Sequence, residues 1–93
     1  MSNQLQARWH LLFHGSVQQV GFRYTAMYFA KELYITGWVR NNSDGTVEME
    51  AQGNLSALRK LVIRLKSANH IHIESVDIAE IETIRFDRKF RVL

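Results

Sequence analysis

The 93-residue sequence contains no cysteine and no proline. Without cysteine the chain has no disulfide, no thiolate nucleophile and no zinc site built on thiolates, a composition that suits a reducing compartment. No apolar run approaches the length of a membrane span, and the first eight residues lack the apolar core of a signal peptide. We therefore predict a cytoplasmic protein that has no membrane partner.

A large excess of either charge is also missing. The formal net charge of +3 attracts anions only weakly, so it suits a phosphorylated metabolite as well as a nucleic acid. Hydrophobic residues make up 46% and charged residues 23% of the chain, which is ordinary for a globular protein with one core. Because there is no linker, repeat or low-complexity segment, we predict a single domain over residues 1–93, and we expect a monomer.

The periodicity of apolar residues predicts five strands and two helices. Alternating apolar and polar residues predict strands over residues 7–14, 36–41, 46–52, 75–83 and 90–93. Apolar residues at helical spacing predict a helix over residues 22–34 and a second helix that is capped by Asn54 and runs to residue 68. The predicted apolar stripes are Phe22, Ala26, Phe29, Ala30 and Leu33 in the first helix, and Leu58, Leu61, Val62, Leu65 and Ala68 in the second. Asp44-Gly45 lies between two alternating runs and indicates a hairpin turn.

The order of these elements is typical of one fold class. Strand, helix, strand, strand, helix, strand is the split βαβ pattern, so we predict an α+β, ferredoxin-like βαββαβ sandwich. Its antiparallel sheet of four to five strands should carry both helices on one face and leave the other face more exposed. Many unrelated activities use this fold, so function has to be argued from particular residues.

The stretch from Gly15 to Arg23 joins the first strand to the first helix. A loop of small and amide residues at a helix start directs unpaired N–H groups toward one point, and the helix dipole adds a partial positive charge. Arg23 lies in the first helical turn, where its guanidinium can hold two oxygens of a phosphate. The stretch therefore predicts a phosphate-binding site.

Two separate blocks of sequence resemble the acylphosphatase family. Residues 15–23 read Gly-x-Val-Gln-x-Val-Gly-Phe-Arg, and residues 37–41 read Gly-Trp-Val-Arg-Asn. The turn from Asp44 to Glu48 and the pair Gln52-Gly53 follow in the family's order. The resemblance is strong from residue 15 to residue 53, and the remainder resembles the family through its pattern of elements. Two blocks in order are much more specific than one glycine-rich loop.

The resemblance implies an enzyme that hydrolyses acyl phosphates to a carboxylate and inorganic phosphate. Arg23 would clamp the phosphoryl group, and Asn41 would orient the attacking water for in-line displacement. The loop residues would offer backbone N–H groups to the phosphate: Ser16, Val17, Gln18, Gln19 and Val20. The resemblance implies no metal and no cofactor, and the partner is a small-molecule acyl phosphate.

Two positions depart from the family pattern. Gln19 stands where the family usually has glycine, and Ser16 stands where it often has arginine. A loop that directs several N–H groups inward often needs a residue with positive φ, so we expect Gln19 to be left-handed at a cost of about 1–2 kcal/mol. The loss of a basic group at Ser16 weakens attraction for a dianionic phosphate. We expect a competent site that is slower than usual.

Other functions remain open at this point. A non-catalytic module that binds phosphate or acyl phosphate through a degenerate loop is the first alternative, since Gln19 could mark lost turnover. An RNA reader of this architecture stacks bases on aromatic side chains of the open sheet face, but here that face carries Glu48 and Glu50, so we predict no nucleic-acid partner. The family pattern also occurs as the leading module of larger carbamoyl-transfer proteins, whereas this chain is expected to be free-standing.

The histidines suggest a weaker hypothesis. His70 and His72 have the spacing that places two imidazoles on one face of a strand, but no third metal ligand is evident nearby in the sequence. His10 and His14 alternate with the apolar residues of the first strand and should point to the opposite side of the sheet. We predict surface positions for all four and no metal site.

Overall fold

A computed structural model describes residues 5–93 of the chain. The elements are five strands and two helices, in the order β1 (Gln6–Ser16), α1 (Phe22–Glu32), β2 (Thr36–Asn41), β3 (Val47–Asn54), α2 (Leu55–Ser67), β4 (His72–Ile81) and β5 (Phe90–Val92). The predicted α+β, ferredoxin-like class is confirmed, because this order and the two helices match the split βαβ pattern.

The five strands form one sheet in the order β4-β1-β3-β2-β5. The pairs β1–β3, β1–β4 and β2–β3 are antiparallel, as predicted, but β5 runs parallel to β2, with Phe90 opposite Gly37. The sheet is therefore mixed. The physical reason is that residues 82–89 carry the chain across one end of the sheet, so β5 starts at the end where β4 stops and runs in the direction of β2.

Both helices pack on one face of the sheet, and the core lies between them and the strands. The sheet contributes alternate residues that are fully buried: Leu11, Phe13, Val39, Val47, Met49 and Ala51. The predicted stripes of the helices also face the core, with these residues buried: Phe22, Ala26, Ala30, Leu58, Leu61, Val62 and Leu65. The three remaining stripe residues, Phe29, Leu33 and Ala68, are half-buried against the same core.

Three strands have bounds that the alternation did not predict: β1 continues to Ser16, β3 continues to Asn54, and β4 both begins and ends earlier, at His72 and Ile81. The ladder between β1 and β4 continues through an irregularity at His14 and Gly15, so that Ser16 pairs with His72. Gly15 has a φ of +126°, and a Cβ there would lie 2.3 Å from the carbonyl oxygen of His72. Only glycine fits such a position without a shift of the backbone. The extension depends on a partner strand far along the chain, which alternation within one segment does not reveal.

Both helices differ from prediction at one end. α1 ends at Glu32, two residues early, because Tyr34 adopts a left-handed φ of 58° and the N–H of Ile35 donates to the carbonyl of Ala30 at 2.8 Å. The predicted side-chain cap of α2 is wrong. Asn54 occupies the N-cap position, but its side-chain oxygen accepts a hydrogen bond from Gln6 Nε2 at 2.8 Å instead.

The face away from the helices is polar and more exposed, as expected. His10 and His14 point to this side, where their Nε2 atoms lie 2.7 Å from Glu48 and 3.0 Å from Asp77. Arg8 is the exception to the exposure, with only 2% of its surface accessible. Its guanidinium pairs with Glu50 at 2.9 Å and Asp87 at 2.8 Å, which fixes residues 82–89 against the sheet. Over residues 5–93, neither helix has the length and apolar character needed to cross a membrane.

Candidate active site

A small pocket lies where the start of α1, the loop before it and the end of β2 meet. Its volume is about 130 Å³. The structure brings Arg23 and Asn41 together here, although they belong to different elements, and both line the pocket. The residues around them are Val17, Gln19, Gly21, Phe22 and Tyr24.

The N-terminus of α1 is open toward this pocket. Gly21 occupies the N-cap position with a φ of 79°, and no side chain caps the helix. The Thr25 N–H donates to the Gly21 carbonyl at 3.0 Å and starts the helical ladder. Phe22 anchors this end, because its ring packs against Phe13 with 4.9 Å between centroids. The uncapped N–H groups and the helix dipole therefore supply a positive field at the pocket.

The loop backbone is turned as expected at Gln19, whose φ of 63° is left-handed. Its side chain is exposed at the mouth of the pocket. In the described part of the chain, no backbone hydrogen bond formed outside the helices and strands has its donor in residues 17–20. A left-handed residue within such a run makes a concave arrangement of N–H groups that suits an anion.

Gln18 uses its side chain to fix the loop to the β2–β3 turn. Its Nε2 donates to the carbonyl oxygens of Asn42 at 2.7 Å and Thr46 at 2.8 Å. Both hydrogens of the amide are therefore used. The sequence predicted only a backbone role for Gln18, since its acceptors lie 24 and 28 residues further along the chain. This clamp sets the distance between the loop and the strand end that carries Asn41.

The turn itself is held by a short chain of hydrogen bonds. Asn42 Nδ2 donates to the Thr46 hydroxyl at 3.0 Å, and that hydroxyl donates to Asp44 Oδ1 at 2.6 Å. The Thr46 N–H also donates to Asp44, at 3.0 Å. These bonds from Thr46 hold the pKa of Asp44 below its ordinary value of 3.8. Asp44 therefore fixes this turn in its carboxylate form. The turn follows directly after Asn41 in the chain.

Arg23 is oriented by the end of the last strand. Its Nη1 donates to the backbone oxygen of Leu93, the last residue of the sequence, at 2.7 Å. The Leu93 N–H in turn donates to the carbonyl of Val39 in β2 at 2.9 Å. A guanidinium has five N–H donors, so the remaining ones are available to a ligand. Nothing in the local sequence around Arg23 indicates Leu93, because the contact spans 70 residues.

The other predicted loop residues lie at different depths. Val17 is fully buried in the core, and Val20 is half-buried against it. Ser16 is the last residue of β1 and lines a separate polar cleft with Asp44 and Glu74. Sequence reasoning missed Tyr24, which lines the pocket and is 62% exposed. Its place directly after Arg23, on the open first turn of a helix, is the signal that would have found it.

The electrostatics of the pocket favour an anion. Among residues 5–93, those that line it include no Asp, Glu or His, and Arg23 carries its one formal charge. The nearby carboxylate of Glu48 lies on the polar sheet face, where hydrogen bonds from His10 and Arg40 hold its pKa below the ordinary value of 4.5.

No metal centre is evident at the histidines. His70 lies 3.2 Å from the Thr25 hydroxyl, and His72 is exposed at the start of the edge strand β4. The described residues contain no group of three or more His, Cys, Asp or Glu side chains that could hold an ion.

Comparison with known proteins connects this geometry to one family. The acylphosphatase family model matches residues 9–92. An acylphosphatase from Geobacillus kaustophilus is 40% identical over 92 residues, which is 92% of this chain and 93% of that protein. The structure of an acylphosphatase from Coxiella burnetii has a TM-score of 0.87 at 31% identity and covers all of both chains. Full-length HypF contains the same fold within 12% of its length, with a TM-score of 0.87 at 21% identity over 99% of this chain.

Proposed function

This chain belongs to the acylphosphatase family and hydrolyses acyl phosphates, and we propose that the pocket at the start of α1 carries the reaction. The substrate is the mixed anhydride of a carboxylic acid and phosphate. A water oxygen forms a bond to phosphorus while the bond from phosphorus to the acyl oxygen breaks. The electron pair of that bond leaves on the carboxylate, and inorganic phosphate is the second product.

The leaving group determines what the protein has to supply. A carboxylate, whose pKa is about 4, is a stable anion and needs no general acid. The remaining requirements are to hold the phosphoryl group, to neutralise its equatorial oxygens and to place one water in line. Among residues 5–93, those that line the pocket offer groups for these three tasks and include no titratable side chain besides Arg23 and Tyr24. The proton of the water therefore passes to a phosphoryl oxygen or to solvent.

We assign the phosphoryl group to Arg23 and to the loop N–H groups of residues 17–20. The backbone oxygen of Leu93 holds one side of the guanidinium at 2.7 Å, so the other donors are positioned before substrate arrives. Preorganised donors of this kind stabilise charge in the transition state without reorganisation. Val17, Gln18, Gln19 and Val20 contribute through their backbone in this assignment, whereas Ser16, which the sequence also suggested, pairs with His72 and lines a separate cleft.

We assign the attacking water to Asn41. An asparagine side chain both donates and accepts hydrogen bonds and does not titrate, so it can orient a water at any pH. Asn41 is exposed at the end of β2 and lines the pocket beside Arg23. The convergence of these two side chains on one pocket, from two separate elements, is the observation that carries the proposal.

The assay that tests this function follows the loss of a small aryl acyl phosphate, such as benzoyl phosphate, in the presence of a chelator. A phosphate ester with a poor leaving group is the matched control, and we expect it to be left intact. Steady hydrolysis with competitive inhibition by inorganic phosphate is the expected result. Saturable binding without turnover would instead support a non-catalytic phosphate-binding module, which the relatives named acylphosphatase do not favour.

Further properties belong to the same proposal. A monomeric state, a cytoplasmic location, the absence of a nucleic-acid partner, the absence of a cofactor and a single domain over residues 1–93 are predictions from the sequence. Analytical ultracentrifugation measures the oligomeric state directly. Chelation measures whether any metal is needed: turnover that is abolished by a chelator and restored by an added metal would contradict the assignment of the positive field to Arg23 and the loop.

A further inference from the structure

A second, larger cavity lies at the opposite end of α1. Its volume is about 530 Å³, against about 130 Å³ for the active-site pocket. It is formed by the end of α1, the first residue of β2 and the residues that lead into β5. A volume of this size lies within the range of about 300–1,000 Å³ that is usual for small-molecule sites in proteins.

The floor of this cavity is apolar. Ile35 and Phe90 are 3% and 8% exposed and form its base, and the half-buried Met27 lies beside them. Tyr34 forms one wall with 90% of its surface exposed, and its backbone is held at a left-handed φ of 58°. A tyrosine at positive φ is strained, and such strain is retained where the surrounding structure requires it. Together, the floor and the tyrosine wall offer apolar and aromatic surface to a ligand.

Three cationic side chains line the same cavity: Lys31, Arg88 and Lys89. Their neighbours in sequence do not neutralise them, because Glu32 pairs with Arg64 at 2.7 Å and Asp87 pairs with Arg8 at 2.8 Å. Over residues 5–93 no ion pair involves any of the three. No carboxylate lines the cavity in that part of the chain. The positive charge of the three side chains is therefore complementary to an anion.

The segment that presents two of these cations is fixed in place. Gln52 accepts a hydrogen bond from the Ile84 N–H at 2.8 Å and donates to the Ile84 carbonyl at 2.9 Å. Arg8 holds Asp87 from below the sheet, and the carbonyl of Lys89 accepts from the Gly37 N–H at 2.9 Å. Arg88 thus lies between two anchored points. Anchoring of this kind lowers the ordering cost of binding.

We propose that this cavity, which we call the α1–β5 groove, binds a small organic phosphate that has an aromatic or apolar body. The body packs on Phe90, Ile35 and Tyr34, and the phosphate is held by the cations. A guanidinium binds phosphate through two parallel hydrogen bonds, and three cations match a dianion better than a carboxylate's single charge. Arg23 and Lys31 are eight residues apart, about 12 Å along the helix, so this site is separate from the active-site pocket.

The experiment titrates the protein with 1-naphthyl phosphate and measures binding by calorimetry in the Arg23→Ala background, which removes the phosphate contact of the active site. The matched ligands are inorganic phosphate, which lacks the body, 1-naphthoate, which has a single charge, and 1-naphthyl methanol, which is neutral. We expect 1-naphthyl phosphate to bind at least tenfold more tightly than each of the three. Equal binding of any one of them would overturn the proposed ligand class.

Charge reversal then locates the binding site. Lys31→Glu and Arg88→Glu are each expected to weaken binding of 1-naphthyl phosphate by tenfold or more. Lys60→Glu changes the same net charge on the exposed face of α2 and is expected to leave binding unchanged. Because binding is measured without turnover, the result is independent of whether the chain hydrolyses acyl phosphates. Affinity that is the same in all three variants would place the ligand elsewhere and overturn the proposal.

Discussion

At its first turn α1 contributes Arg23 to a pocket of about 130 Å³, whereas near its last turn it contributes Lys31 to a groove of about 530 Å³. The small pocket is positioned by hydrogen bonds to backbone oxygens, from Gln18 to the turn and from Arg23 to Leu93. The large groove is bordered by the long side chains of lysine and arginine residues, which lie over an apolar floor. Catalysis needs side chains that are held in place by hydrogen bonds, as in the pocket, whereas cations over an apolar floor are sufficient for binding.

The largest expected difference between the two ends is in the effect of losing a cation. Arg23→Ala should lower kcat/KM by on the order of 10² or more, because phosphoryl charge persists in the transition state. Arg88→Ala at the groove should leave kcat/KM within about twofold, since distant sites act independently. Steady-state hydrolysis of benzoyl phosphate by both variants gives the comparison. Equal losses would show that the two ends are not functionally distinct.

Each end also contains a glutamine that makes two hydrogen bonds to backbone groups, which gives a matched pair of substitutions. Gln18→Leu should destabilise the fold by about 1–3 kcal/mol, because its half-buried acceptors lose their donor, and Gln52→Leu should destabilise it less, because water can replace its exposed hydrogen bonds to Ile84. Only Gln18→Leu should lower turnover, since it releases the turn beside Asn41. Denaturant unfolding and hydrolysis rates measure both effects. A loss of turnover in Gln52→Leu that equals the loss in Gln18→Leu would contradict the clamp's role.

The two ends share a third feature, a non-glycine residue with positive φ. Gln19→Gly should stabilise the fold by about 0.5–1.5 kcal/mol by relieving the left-handed backbone, and it should raise turnover if the glutamine crowds the phosphate. Tyr34→Gly is the control, because it relieves the same strain at the groove and should leave turnover unchanged. Thermal melts and hydrolysis assays, run side by side, decide the result. A Gln19→Gly protein that is less stable and less active would show a loop adapted to glutamine.

The smallest expected effect concerns the charged network on the polar sheet face. Hydrogen bonds from His10 and Arg40 lower the pKa of Glu48 below 4.5, so the folded state favours the carboxylate. Its contribution to stability is present above pH 4.5 and is lost as the pH falls below that value. Unfolding free energies measured through this range should therefore decline less steeply in Glu48→Gln than in the wild type. Identical slopes would show that Glu48 does not contribute.

The sequence predicted most of the fold, and it predicted Arg23 and Asn41, the two site residues that the structure brings together. Periodicity identified the helices and the core stripes, because burial on one face imposes a local repeat. The left-handed backbone at Gln19 was also predicted, from the need to direct N–H groups inward. The parallel pairing of β5 and the side-chain partner of Asn54 were not, since each depends on a contact far along the chain. The clamp of Gln18 and the contact of Arg23 with Leu93 were missed for the same reason.

The central claim is that Arg23 holds the phosphoryl group while Asn41 orients the water, and Asn41→Ala tests it most directly. Asn69→Ala, in an exposed turn that does not line the pocket, is the matched control. The account predicts that Asn41→Ala lowers kcat by on the order of tenfold to a hundredfold while the inhibition constant of inorganic phosphate stays within about threefold of the wild type. An Asn41→Ala enzyme that retains the wild-type kcat would contradict the account.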